Sequence, residues 1–384
     1  MADKPRILCI SLTPIRRDSR VLRQIEVLAQ FGEVTTIGFG EIPAHATHHI
    51  QVPSHLKTLP QTLGGIINLG LRRMKASELA APAVRYSLDA LKDLRFDLIA
   101  VNEARALALA DEVAHGAPIW ADMHEWSPEE RTHITSWRIL VAPFMRHMCA
   151  KFLPRAAAVT TVCQSIAELY DENYGLDTKI VRNSGPFRQL SPQPLVDGPI
   201  RLVHSGVAVH GRNIEIMLDV VKRLDERYTL DLYLMASGDG GKYLNHLKKY
   251  AGDCERITFH DPVGALELPD VLNAYDVGVF WIPPTHTNAR FALPNKFFDF
   301  VQARLAIAVG PSIEMARLVK QHDLGAVSTG FTVEECLASL TSLSRDDIVR
   351  AKNASDAAAD ELSYETDAEV ARGILRDLLA VPRS

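Results

Sequence analysis

A chain of 384 residues is long enough for two domains, each with enough interior for a packed core. With 47% hydrophobic and 23% charged residues it has the make-up of an ordinary globular protein, which excludes a disordered chain. A net charge of −5 excludes nucleic acid as a general partner.

From the amino end, the stretch MADKPRILCISL lacks the long apolar run and cleavage site of a signal peptide. No run approaches the roughly 20 apolar residues that a spanning helix needs. The five cysteines, Cys9, Cys149, Cys163, Cys254 and Cys336, lie far apart without metal-ligand spacing. A reducing cytoplasm is therefore the expected compartment. β-branched runs RILCISL, EVTTIGF, LIAVNE, IWADMHE, AAVTTV and IVRNSG read as strands of the first half. RLVHSG, LDLYLMAS, ITFHDPV, VGVFWIP and AIAVGP read as those of the second. Between them, segments such as SRVLRQIEVLAQFG and NIEIMLDVVKRLDERY carry apolar residues at three and four spacing, the mark of amphipathic helices. Repeated βαβ units imply parallel sheets with helices on both faces. The proline-rich, aperiodic stretch Pro186 to Pro199 reads as a linker. The expected architecture is α/β: two Rossmann-like domains facing a central cleft, over residues 1–186 and 196–365. A last helix at about 366–382 is expected to pack back on the first domain.

Ligands of open α/β sheets bind outside the carboxyl ends of the strands, so the loops there hold the candidate site. After the first strand come Arg16, Arg17, Asp18 and Arg20, readable either as a ligand-binding cluster or as exposed salt bridges. No GxGxxG follows that strand, which argues against a dinucleotide cofactor in the usual place. WADMHEW places His124 and Glu125 at a strand end, where an imidazole can donate to a hydroxyl or a phosphate oxygen; capping of the sheet edge is the alternative. HSGVAVHGRNIE supplies Ser205 and Gly206, which lets backbone approach a ligand, and Arg212, whose fork suits phosphate. Finally, PNKFF sets Asn295 and Lys296 at a helix amino end, where unpaired N–H groups, the helix dipole and a cation attract an anion. Asp299, one turn on, is an acceptor suited to a ribose hydroxyl pair. Arg212 and Lys296 could converge on the two phosphates of a nucleotide. Fixed cations there stabilise the charge of a leaving nucleoside diphosphate without a metal.

In their order and spacing, DSRVLRQIEVLAQFGEVTTIG, ADMHEW, RLVHSGVAVHGRNIEIMLDVVKRL, LPDVLNAYDVGVFWIPP and LPNKFFDFVQARLAIAVG make the chain resemble the GT-B glycosyltransferases, and among them the retaining family 4-like group. The resemblance implies a carboxy-terminal domain for the nucleotide sugar and an amino-terminal domain for the acceptor. It further implies Arg212 and Lys296 as the diphosphate clamp, Asp299 at the ribose, His124 near the transferred sugar and the Val263 backbone at the base. No cofactor or metal is implied beyond the co-substrate, and the acceptor is a glycan, a lipid-linked glycan or a small molecule. Two departures stand out. Where the family carries two glutamates seven residues apart, this chain has Phe291 and Asp299; where glycine and proline usually follow the helix, it has Arg304 and Ala306. A sugar-nucleotide epimerase of the same shape and a catalytically inactive binding protein remain the alternatives. The first lacks the carboxylates that proton abstraction from carbon needs. Two basic and apolar stretches, Trp137 to Arg155 and Ile66 to Lys75, leave open either packing on the core or lying in a lipid interface at the inner face of the membrane.

Overall fold

The computed structural model describes residues 4–380. The first three residues of the amino-terminal stretch, and positions 381–382 of the expected last helix, lie outside the described residues. Two compact units emerge, one of residues 4–182, 286–288 and 367–380, the other of residues 183–285 and 289–366.

The first unit holds a seven-stranded parallel sheet. Its strands are β1 (Arg6–Pro14), β2 (Glu33–Phe39), β3 (His48–Val52), β4 (Leu98–Asn102), β5 (Ile119–Met123), β6 (Ala158–Thr161) and β7 (Lys179–Ile180), in the order β3-β2-β1-β4-β5-β6-β7. LIAVN and IWADM are buried along their whole length, as strands covered on both faces must be. Sequence reading misses β3, since HHIQV alternates weakly. It also overextends β7, because IVRNSG keeps only its first residue in the ladder.

The second unit holds six parallel strands: β8 (Ile200–Ala208), β9 (Tyr228–Ala236), β10 (Ile257–His260), β11 (Val277–Phe280), β12 (Ala306–Val309) and β13 (Gly325–Val327), in the order β10-β9-β8-β11-β12-β13. Leu202, Leu230, Leu232, Val277, Val279, Ala306 and Ala308 pack there against Met217, Leu218 and Val221 of the helix Glu215–Arg223. In both sheets the strand order reverses, between β1 and β4 and between β8 and β11. Crossover helices leave such a point on opposite faces, which opens a crevice at the carboxyl ends of those strands. In the second unit the crevice is deepened by unequal strand lengths. β8 pairs with β9 over its full length, but with β11 only at Leu202 and Val203.

Arg304 explains one departure from the family pattern. The helix Asn295–Gln302 ends in a Schellman turn, with Leu305 N–H donating to the Phe300 carbonyl at 3.1 Å and Arg304 N–H to Val301 at 2.9 Å. This puts Arg304 at φ 59°, the left-handed conformation that favours glycine. Its side chain offsets that cost: the guanidinium is buried, reaches Asp356 at 2.5 Å, and donates at 2.7 Å to the carbonyls of Gln302 and of Arg188. Arg304→Ala keeps the strained turn and leaves those carbonyls without their donor. Chemical denaturation is expected to show a loss of about 2–3 kcal/mol; a variant as stable as wild type would show that the guanidinium contributes nothing.

Candidate active site

In the second unit the carboxyl ends of β8 and β9, the loop after β10 and the start of the helix Asn295–Gln302 enclose a pocket of about 320 Å³. Ser205, Gly206, Arg212, Val263, Asn295, Lys296 and Asp299, singled out from separate loops of the sequence, all line it. Tyr233, Met235, Pro262, Ala265 and Leu268 complete an apolar wall that sequence reading missed. Their alternation along β9 and the loop after β10 carries no chemical signature, so nothing marked them beforehand.

The polar end of the pocket is unusual. The Lys296 ammonium is buried and has no hydrogen-bond partner; it lies 5.1 Å from the centre of the Phe280 ring. Gly206 makes that position available. A Cβ there would collide with the Lys296 Nζ, and its φ of 143° belongs to glycine. Ser205 Oγ is likewise buried without a partner. Arg212 is half-buried and, among the described residues, donates only to the Val207 carbonyl, at 3.2 Å. Burial first, and then the neighbouring Arg212, bring the Lys296 pKa down to about 7, against a smaller opposing pull from Asp299. His204 is held well below the usual imidazole range by burial and by Lys296. It is neutral, and its Nδ1–H donates to the Val279 carbonyl at 2.8 Å, which closes the gap left beside β8 where β11 stops pairing. Two cations and a hydroxyl thus face the cavity, and the Lys296 ammonium and Ser205 hydroxyl, buried without a hydrogen-bond partner, carry a cost that an entering anion would relieve.

In the first unit, β4 and β5 bring His124 to the sheet's carboxyl end. Its Nε2 lies 2.9 Å from Asn102 Oδ1 and 3.5 Å from Asp122 Oδ2. Burial lowers the imidazole pKa, but the Asp122 carboxylate outweighs it, and the net shift is upward. Glu125, beside it, is pushed up to about 8 by burial and by Glu130 and Glu103. The basic cluster expected after β1 is not a cluster. Arg20 is buried; its Nε and Nη2 grip Asp122 at 2.8 and 2.6 Å, and its Nη1 donates to the Val181 carbonyl at 2.6 Å. Asp18 accepts from the Val21 N–H and caps the helix Ser19–Ala29. Arg16 pairs with Glu41 at the surface, and Arg17 is exposed. Arg20 and Asp18 are therefore structural, because a loop of three arginines looks the same in sequence whether its partner is a ligand or a buried aspartate. Asn102 and Asp122, which sequence reading passed over, were marked only by being polar at the ends of wholly apolar strands. Among the described residues, no group of three or more His, Cys, Asp and Glu side chains is placed to hold a metal ion.

The depressed Lys296 pKa gives the pocket a pH signature. A bound polyanion favours the ammonium, so binding near neutral pH takes up a proton, and affinity falls as pH rises past about 7. Titration calorimetry of a nucleoside diphosphate, in two buffers of different ionisation enthalpy, is expected to show this uptake in wild type and not in Lys296→Met. Equal uptake in both proteins would remove Lys296 from the assignment.

Residues 42–183 match the family described as Glycosyltransferase Family 4. No match was found among curated proteins. Among solved structures, the chain is similar to HepE from Anabaena in complex with UDP, at 14% identity and a TM-score of 0.70, over 97% of this chain and 100% of that one. It is similar to sucrose-phosphate synthase from Thermosynechococcus elongatus at 13% identity and 0.70, over 98% and 100%. To WaaG, a glycosyltransferase involved in lipopolysaccharide biosynthesis, it is similar at 13% and 0.62, over 96% and 99%. The family match across residues 42–183 and a two-sheet fold shared along nearly the whole length show that the protein has the GT-B fold of these glycosyltransferases.

Proposed function

We propose that the protein transfers a sugar from a nucleoside diphosphate sugar to a hydroxyl acceptor, with retention of configuration and without a metal. One observation carries the reading: the unpartnered, buried Lys296 ammonium, which shares its pocket with Arg212 and the unpartnered Ser205 hydroxyl. As the bond to the sugar breaks, negative charge grows on the leaving diphosphate, and cations fixed in a dry pocket stabilise it more in the transition state than in the substrate. Asp299 takes the ribose hydroxyls, and the apolar wall around Val263 and Pro262 takes the base. Asp299 is the only carboxylate lining the pocket, which disfavours the epimerase reading. His124 offers a hydrogen bond to a sugar hydroxyl. UDP, present in the HepE structure, is the first nucleotide to try.

Lys296→Ala and Arg212→Ala are each expected to weaken nucleoside diphosphate binding by about 1.5–3 kcal/mol and to cut turnover, with the fold intact. Wild-type nucleotide release in both variants would refute the clamp. Treatment with EDTA is expected to leave transfer unchanged; activity lost on chelation and restored by magnesium or manganese would reveal a metal requirement.

The acceptor side supports contact with an anionic membrane. The stretch from Trp137 to Phe152 covers its apolar face, with Trp137, Phe144, Met145, Met148 and Phe152 buried. The helix Leu63–Gly70 does not cover its own: Leu63, Ile66, Ile67 and Leu71 are exposed, and so is Ile139, whose carbonyl accepts from Arg72 at 2.7 Å. Arg73, Lys75 and Arg138 are exposed in the same segments. An apolar face rimmed by basic residues suits the surface of an anionic bilayer. No helix among the described residues is long and apolar enough to cross one. Cosedimentation with anionic vesicles at low salt, absent with neutral ones and lost in Ile66→Glu/Ile67→Glu, is the expected result. Protein left in the supernatant at every salt concentration would dismiss membrane contact.

A further inference from the structure

The side chains around His124 determine which of its ring nitrogens is free. Asn102 Nδ2 lies 3.3 Å from the Ile10 carbonyl, which can only accept, and 2.8 Å from Gln24 Oε1. This fixes the orientation of the amide, so Asn102 Oδ1 is the atom that faces His124 Nε2 at 2.9 Å. The second neighbour of that nitrogen is Asp122 Oδ2, at 3.5 Å. Two acceptors converge on Nε2, and the proton of a neutral imidazole must sit there. Asp122 is itself immobile: Arg20 holds it with two donors, and Thr160 Oγ1 donates to its Oδ1 at 2.6 Å. Nδ1 makes no hydrogen bond to the described residues, and the side chain is partly open to solvent.

We propose that Asn102 and Asp122 are positioning residues that hold His124 with its proton on Nε2, so that Nδ1 is the atom it offers to a sugar hydroxyl. The substrate-facing half of this statement rests on the glycosyl transfer proposed above; the tautomer does not. Neutral His124 accepts through Nδ1, and the imidazolium donates through it. The charged groups that set the balance are Asp122 and Glu103, which favour the imidazolium, and Arg20, which opposes it. Substrate thus meets one ring nitrogen at every pH, and only the direction of the hydrogen bond changes.

Long-range proton–nitrogen correlation on the nitrogen-labelled full chain reads the tautomer directly, with His124 assigned by the loss of its signal in His124→Gln. Above the titration midpoint, Nε2 is expected to be the protonated nitrogen and Nδ1 the bare one; the opposite pattern overturns the proposal. Asn102→Asp keeps an acceptor opposite Nε2 and is expected to keep the tautomer and most of the transfer rate. Asn102→Leu removes the acceptor and is expected to mix the tautomers and lower kcat roughly tenfold, the worth of one hydrogen bond, at unchanged nucleotide affinity. An Asn102→Leu protein that binds nucleotide and transfers sugar at the wild-type rate would refute the positioning role. If that variant does not fold, the wild-type tautomer decides. A wild-type protein without turnover on any sugar nucleotide removes the sugar-facing role together with the proposed function, while the tautomer is still read from the same spectrum.

Discussion

β8 continues past its neighbour β11, and the chemistry of the second unit follows from that inequality. Beyond Val203 the strand is paired on one side only. Its backbone from Ser205 to Val207 borders the pocket, and Gly206 has no side chain to fill the space. Lys296 comes from the other side of the opening, carried on a helix that starts after Pro294. Its ammonium lies over the Phe280 ring and has no hydrogen-bond partner among the described residues. His204 closes the gap behind it with a hydrogen bond to Val279, and burial, helped by the nearby Lys296, keeps it neutral. A sheet with strands of equal length would have covered this space with a ladder.

Each unit has its own crevice at the switch point of its sheet, and the two differ in how their charges are paired. In the second, the buried Lys296 ammonium has no hydrogen-bond partner among the described residues, which costs free energy and favours an anion in the pocket. In the first, the charges near His124 are held in ion pairs: Arg20 with Asp122, and Arg105 with Glu103 and Glu130. Unpaired charge pulls a ligand in; paired charge holds a side chain still. Such a division suits a protein that must bind a polyanion in one place and orient a hydroxyl in another.

Buried ion pairs also account for residues that would otherwise look functional. Lys352 lies buried against the Tyr275 carbonyl at 2.8 Å and Asp276 at 3.4 Å, while Arg201 reaches the same aspartate. Arg304 occupies a glycine position because its buried guanidinium finds Asp356 and three backbone carbonyls as acceptors. Neither residue lines the pocket. The departure at Arg304 is thereby a matter of helix termination.

Much of the fold was legible from local pattern. Continuous apolar runs such as LIAVN, IWADM and AIAV can only be strands covered on both faces, and helical periodicity between them requires parallel crossovers. Short peripheral strands such as HHIQV and GAV escaped, since three to five residues at a sheet edge show no period. The polar members of the pocket, though not its apolar wall, could also be named in advance, because glycine, lysine and arginine at strand and helix ends are costly without a purpose. What the chain could not reveal by itself was which charges find partners. Arg20 and Arg212 look equally available in sequence; one is consumed by an aspartate 102 positions away, and the other is left facing a cavity. Desolvation and pairing depend on distances across the sheet, and only the tertiary structure sets those distances.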